Sequence, residues 1–210
     1  MNVLRIAAHM AWKDWLSHFL PFAAAHCTRD EWEAQYSDGE WARLRNVDEL
    51  PHYSVIAGYV SHYAECGRIL DVGCGEGILQ EVLGQGRYTR YVGIDLAQDA
   101  ILKASIKRDS RTMFEQADAS LYTPHHEFDV VVFNEVLYYF DTPLDLIGRY
   151  APQLADGGTT IVSMVVDRRS LRIWRMLERT YAPEAEVLVA NRTASWIVKA
   201  YRGGLSRNNH

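Results

Sequence analysis

Residues 68–79 read RILDVGCGEGIL. Residues 69–72 are apolar apart from Asp71, glycines follow at alternate positions (Gly73, Gly75, Gly77), and the apolar spacing then widens to Ile78, Leu79, Val82 and Leu83. The first pattern suits a strand and the second a helix. A strand that turns through glycines into a helix brings backbone close to a ligand.

Downstream the same rhythm repeats. RILDV, RYVGID, TMFEQAD, FDVVVFN and TTIVSMVV are predicted strands, with helices predicted over 76–84, 97–107 and 143–155. Runs such as DVVVF are apolar at every position, as strands covered on both faces are. Such alternation predicts an α/β fold, a doubly wound, mostly parallel sheet. The C-terminal AEVLVANRTASWIVKAY has two β-rich runs with little room for a crossover helix, so an antiparallel hairpin at the sheet edge is expected.

Upstream the chain reads as helices. Thr28 and Glu31 have capping-box spacing at the start of TRDEWEAQY. In DELPHYSVIAGYVSHYAEC, Pro51 suits a first turn, Val55, Ile56, Tyr59, Val60 and Tyr63 recur at helical spacing, and Gly67 can end the helix. SDGEW is a turn between the two. Trp12, Trp15, Leu16, Phe19 and Leu20 form one apolar face of an amphipathic helix, expected to pack on the domain, with a dimer contact or a pocket lid as alternatives. Arg5, His9, Lys13, Asp14 and His18 interrupt that stretch, so neither a signal peptide nor a membrane span is expected. One domain over 1–210 is expected, a helical cap over 1–67 and an α/β core over 68–210.

Composition narrows the partners. With a net charge of -5 and no basic stripe, nucleic acid is disfavoured. Cys27, Cys66 and Cys74 are odd in number and widely spaced, which fits reduced thiols in a cytoplasmic protein rather than disulfides or zinc. No His/Asp/Glu cluster reads as a metal site. His125 and His126 read as solvated loop residues, and Asp167, at a strand end, can reach substrate or cap a helix.

Which ligand the glycine turn holds is decided by two residues. A dinucleotide turn wants G-x-G-x-x-G, but the third position is Ile78. Asp71 would meet a diphosphate unfavourably and suits a cationic ligand. LDVGCGEG resembles the first motif of class I S-adenosylmethionine-dependent methyltransferases, and the likeness runs over residues 68–201. YVGIDLA then places Asp95 about 20 residues past the turn, where an acid grips a ribose diol. The resemblance implies that Asp71, Gly73 and Gly75 face the cofactor, with Leu96 beside Asp95. It implies that Asp118 accepts from the adenine amino group, with Ala119 beside it, and that Asn134 lies near the transferred methyl. EWEAQYSDGEWARL is similar to a segment whose Tyr and Trp close over the cofactor in small members, here Tyr36 and Trp41; packing between helices is the alternative.

The loop after the fourth strand sets the chemistry. Many relatives carry His or Glu where this chain has Tyr138 and Tyr139. An unperturbed phenol, with a pKa of ~10, is a poor base near neutral pH. Glu135 and Tyr138 are the candidate catalytic residues. The Asn-Pro-Pro-Tyr type of tetrad seen in enzymes that methylate adenine or glutamine amides is absent, because Glu135 and Val136 follow Asn134. FDVVVFNEVLYYF also resembles rhizobial methyltransferases that modify a chitooligosaccharide amine. A methyltransferase of small molecules or glycans, monomeric or homodimeric, is therefore expected; a catalytically silent subunit of the same fold is the alternative.

Overall fold

The computed structural model describes residues 27–203. The apolar face expected around Trp12 and Leu20 lies outside the described residues. Strands β1 (Arg68–Val72), β2 (Arg90–Asp95), β3 (Thr112–Gln116), β4 (Phe128–Asn134), β5 (Leu154–Val165), β6 (Ala185–Ala190) and β7 (Ser195–Arg202) form one sheet in the order β3-β2-β1-β4-β5-β7-β6. The first five pair in parallel; β7 runs antiparallel to both β5 and β6. This is the Rossmann-like arrangement with an antiparallel edge hairpin that the sequence predicts.

Of helices α1 (Arg29–Ser37), α2 (Leu50–Tyr63), α3 (Ile78–Leu83), α4 (Gln98–Ser105), α5 (Pro143–Tyr150) and α6 (Arg168–Thr180), α2 to α6 flank the sheet and α1 packs on α4. Period-two alternation sorts the strands between two cores. Leu70, Val72, Val131 and Phe133 face Tyr150, Trp174 and Leu177 on one side. Ile69, Val130 and Val132 face Ile56, Val60 and Leu79 on the other. Each fully buried aliphatic side chain there contributes about 1.5–3 kcal/mol.

Some boundaries differ from expectation. The predicted helix over 143–155 ends at Tyr150, passes through a 3-10 turn, and yields to β5 at Leu154. SDGEW opens into a 3-10 helix, Glu40–Arg45. Helix α2 stops at Tyr63 and the left-handed residue after it is Cys66, not Gly67. Gly67 answers instead to close packing, since a Cβ there would lie 2.6 Å from the Ala64 Cβ. Helix α6 is an addition to the sequence reading. Its apolar Leu171, Ile173, Trp174 and Leu177 are buried, and Asp167 caps it, accepting from the Ser170 amide at 2.8 Å. At the sheet edge Lys199 of β7 is 2% exposed and held between Glu178 (2.5 Å) and Glu186 (2.7 Å), over the Trp174 ring.

Candidate active site

The strand order reverses between β1 and β4, and ligands of open α/β sheets bind beyond the carboxyl ends of strands at such a point. There the glycine turn leaves β1. The Gly73 and Cys74 amides both donate to the Ile94 carbonyl, at 2.8 and 2.9 Å, which fastens the turn to the end of β2. Gly73, Gly75 and Gly77 have φ of 75°, 53° and 74°, the left-handed region that side chains resist. A Cβ on Gly73 would lie 2.7 Å from Val136, and one on Gly75 would lie 3.0 Å from the Tyr36 hydroxyl.

Asp95 brackets two turns at once. One carboxylate oxygen accepts from the Gly75 amide and the other from the Ala97 amide, each at 2.9 Å. Burial raises its pKa, and those amides oppose the rise. Asp71 is deeper. Its Oδ2 accepts from the Tyr91 hydroxyl at 2.6 Å and its buried Oδ1 has no hydrogen-bond partner among the described residues. Burial pushes its pKa up to about 7, against the Tyr91 hydrogen bond. Asp118 is exposed and closes a turn, accepting from the Ser120 amide and hydroxyl at 2.8 and 2.6 Å. Leu96 and Ala119 present backbone, their carbonyls accepting from Gln116 and Tyr150.

Helix α1 is pinned over this floor by polar contacts. The Glu33 carboxylate accepts from the Gln98 and Asp99 amides (2.7 and 3.0 Å), so α1 caps the N-terminus of α4. Lys103 donates to the Tyr36 carbonyl at 2.6 Å and to Glu76 of the glycine turn at 3.1 Å. Tyr36 and Trp41 therefore stand over the turn within an aromatic group. Trp32 lies 6.2 Å from Tyr36 and 5.5 Å from Trp41, and meets Tyr139 edge-on at 4.8 Å.

The loop after β4 supplies the remaining chemistry. Glu135 has φ 56°, strained for a side-chain-bearing residue, and its amide donates to the Ser163 carbonyl. Its Oε2 accepts from the Tyr138 hydroxyl at 2.9 Å, whereas its buried Oε1 has no partner among the described residues. Burial pushes its pKa up to about 8, opposed by the Tyr138 hydrogen bond. Burial likewise holds the Tyr138 phenol well above its ordinary value.

A cavity of about 460 Å³ joins these parts. Every residue singled out for the site lines it: Tyr36, Trp41, Asp71, Gly73, Gly75, Asp95, Leu96, Asp118, Ala119, Asn134, Glu135 and Tyr138. Trp32, Arg43, Glu49, Tyr53 and Trp196 line it too, and sequence reasoning missed them. Trp32 had a signal, lying one helical turn before Tyr36; Trp196, backed by the His52 ring at 4.7 Å, had none. His52 itself is kept neutral, burial lowering its pKa to about 4. Exposed His125 and His126 lie apart from the cavity. No group of three or more His, Cys, Asp or Glu is arranged around a metal position among the described residues, and no described helix is long and apolar enough to cross a membrane.

A family model described as a methyltransferase domain matches residues 12–199. The chain belongs to that family, the class I S-adenosylmethionine-dependent methyltransferases. In sequence it is 32% identical over 144 residues to a tRNA U34 carboxymethyltransferase of Haemophilus influenzae, across 65% of this chain and 40% of the relative. It is 30% identical over 146 residues to a ubiquinone biosynthesis O-methyltransferase of Psychrobacter arcticus, across 60% of this chain and 56% of the relative. The chain thus spans about two-fifths to just over half of the length of these curated relatives. In structure it is similar to the N-methyltransferase NodS of Bradyrhizobium japonicum bound to S-adenosylhomocysteine, with a TM-score of 0.72 at 21% identity over 83% of this chain and 97% of that one. A magnesium protoporphyrin IX methyltransferase of Synechocystis superposes with a TM-score of 0.67 at 14% identity, over 83% and 97% of the two chains. The cofactor of this family is S-adenosylmethionine. The site has the features such a ligand requires: a ligand-sized cavity, glycines with no room for a Cβ, and two buried acids, Asp71 and Asp95, on its lining.

Proposed function

We propose that this chain methylates a nitrogen or oxygen of a small molecule or glycan at the expense of S-adenosylmethionine. The observation that carries the reading is one cavity that runs from the glycine turn and Asp95 to an aromatic wall and a carboxyl group with a free oxygen. The names of NodS, an N-methyltransferase, and of the ubiquinone O-methyltransferase support both acceptor atoms. A tRNA acceptor, which the U34 relatives' name would suggest, is opposed by the net charge of -5 and by the lining, where Arg43 is the sole Lys or Arg among the described residues.

When bound, the cofactor supplies an electrophilic methyl on a sulfonium. Asp71 and the backbone at Gly73 and Gly75 hold the amino-acid end, Asp95 with Leu96 the ribose, and Asp118 with Ala119 the adenine. Tyr36 and Trp41 close the cavity and exclude water, which raises the local weight of every charge. Asn134 flanks the methyl position, and Glu135 with Tyr138 orients the acceptor and handles its proton. Titration calorimetry with S-adenosylmethionine, S-adenosylhomocysteine and NAD tests the cofactor half of the reading: the first two bind and NAD does not. Release of S-adenosylhomocysteine in a screen of aminosugars, sugars and small amines tests the rest, and turnover on tRNA alone would overturn it.

A further inference from the structure

The chemistry at Glu135 distinguishes between acceptor atoms. Its Oε1 is buried with no donor in full hydrogen-bonding geometry, Oε2 is taken by Tyr138, and the Val165 backbone gives the carboxyl only a weaker contact. A buried carboxyl oxygen of this kind calls for an N–H or O–H from the ligand. Tyr138 leads to Tyr139 at 4.7 Å, and Tyr139 to Trp32 at 4.8 Å, so the same pocket is walled by aromatic rings. The charges facing Glu135 are of its own sign: Glu49, ahead of α2, and Asp167, ahead of α6. Tyr53, Tyr138 and Tyr139 are neutral, and Arg43 is drawn to Glu49 at 3.4 Å and to the Trp41 ring. Aromatic faces with surplus negative charge attract a cation.

We propose, resting on the methyltransferase reading, that the acceptor is an amine, captured as its ammonium ion by Glu135 and the wall of Trp32 and Tyr139. An ammonium has no lone pair and must lose a proton before it attacks. The charge of the bound ammonium releases the Glu135 proton to solvent; the ammonium's N–H bond then breaks, its proton passes to the Glu135 carboxylate, and the electron pair stays on nitrogen. That pair forms the N–CH3 bond as the S–CH3 bond breaks, its electrons remaining on sulfur. The methylammonium product leaves, and Glu135 returns its proton to water. Proton affinities agree with this choice. An alkylammonium loses its proton near pKa ~10.4, far closer to the range of a buried carboxyl than an alkyl hydroxyl, which holds its proton about as tightly as water, at ~15.7. A phenol matches in pKa, but its anion would form beside Glu49 and Asp167 and be repelled.

The test is calorimetry of the full chain saturated with S-adenosylhomocysteine, titrated with cyclohexylammonium chloride, cyclohexanol and phenol. The ammonium probe is expected to bind at least about tenfold tighter than either neutral probe, with a heat that varies with the buffer's ionisation enthalpy. Glu135→Gln should erase that preference, and Glu135→Asp, whose side chain tolerates the left-handed backbone, should keep it. S-adenosylhomocysteine affinity reports that each variant is folded. Equal or tighter binding of cyclohexanol or phenol, no ammonium binding, or an undiminished preference in Glu135→Gln would overturn the amine assignment. Failure of the parent chain to bind S-adenosylhomocysteine would overturn the methyltransferase reading instead.

Discussion

At the scale of single residues the site is a set of acids held against their preference. Gly75 is the position least able to change, because its φ of 53° and the Tyr36 hydroxyl both exclude a side chain. A left-handed non-glycine residue costs about 1–2 kcal/mol and a β-branched one more, so Gly75→Val is expected to weaken S-adenosylhomocysteine binding at least about tenfold by calorimetry. The buried carboxyls also set a pH dependence. Asp71 and Glu135 have folded pKa values of about 7 and about 8, above their unfolded ones. The folded state then binds more protons than the unfolded, and stability falls as pH rises towards those values. His52, with a folded value of about 4 against 6.5, acts in the opposite sense below about pH 6.5. Between roughly pH 6.5 and 8.5 the two acids dominate this set, and denaturant unfolding of the ligand-free protein should lose about 2–3 kcal/mol. Asp71→Asn should make the decline shallower. An unchanged slope would place the Asp71 proton elsewhere.

At the scale of elements, α1 and α4 form a joint. Glu33 satisfies two amides at the start of α4, and Lys103 holds the last turn of α1. Glu33→Gln should cost about 1 kcal/mol, speed hydrogen exchange at Gln98 and Asp99, and weaken cofactor binding. No sequence pattern announces this joint, because its partners lie 65 and 66 positions apart. Helix α6, by contrast, was missed although it left a signal: apolar Leu171, Trp174 and Leu177 alternate with arginines at helical spacing. An expected strand running straight into an edge hairpin hides it. The edge offers an asymmetric test. Lys199 is buried while Glu178 and Glu186 are about half exposed. Lys199→Met lets the glutamates return to water and should change stability by less than about 1 kcal/mol, whereas Glu178→Gln with Glu186→Gln leaves a buried cation and should cost about 3 kcal/mol or more, read by thermal unfolding.

At the scale of the whole molecule, the parallel sheet with its antiparallel edge pair was legible from apolar runs for covered strands and a final pair without a crossover, while the strand order came from the structure. The glycine turn, Asp95 and Asp118 were legible because strand ends converge at one place in such sheets. The far wall of the cavity was not, since Trp196 and Tyr53 join it only through three-dimensional packing. We expect the cap and the α/β core to unfold in a single calorimetric transition; two separated transitions would divide them. The Glu33 joint has a further meaning for anyone who would transplant this chain. The segment starting at Arg68 contains the motifs by which the family is recognised, yet α4 owes its first-turn hydrogen bonds to a residue upstream of that cut. A swap of cores between relatives would therefore have to carry position 33 and the residues at 98 and 99 together, as one exchangeable part.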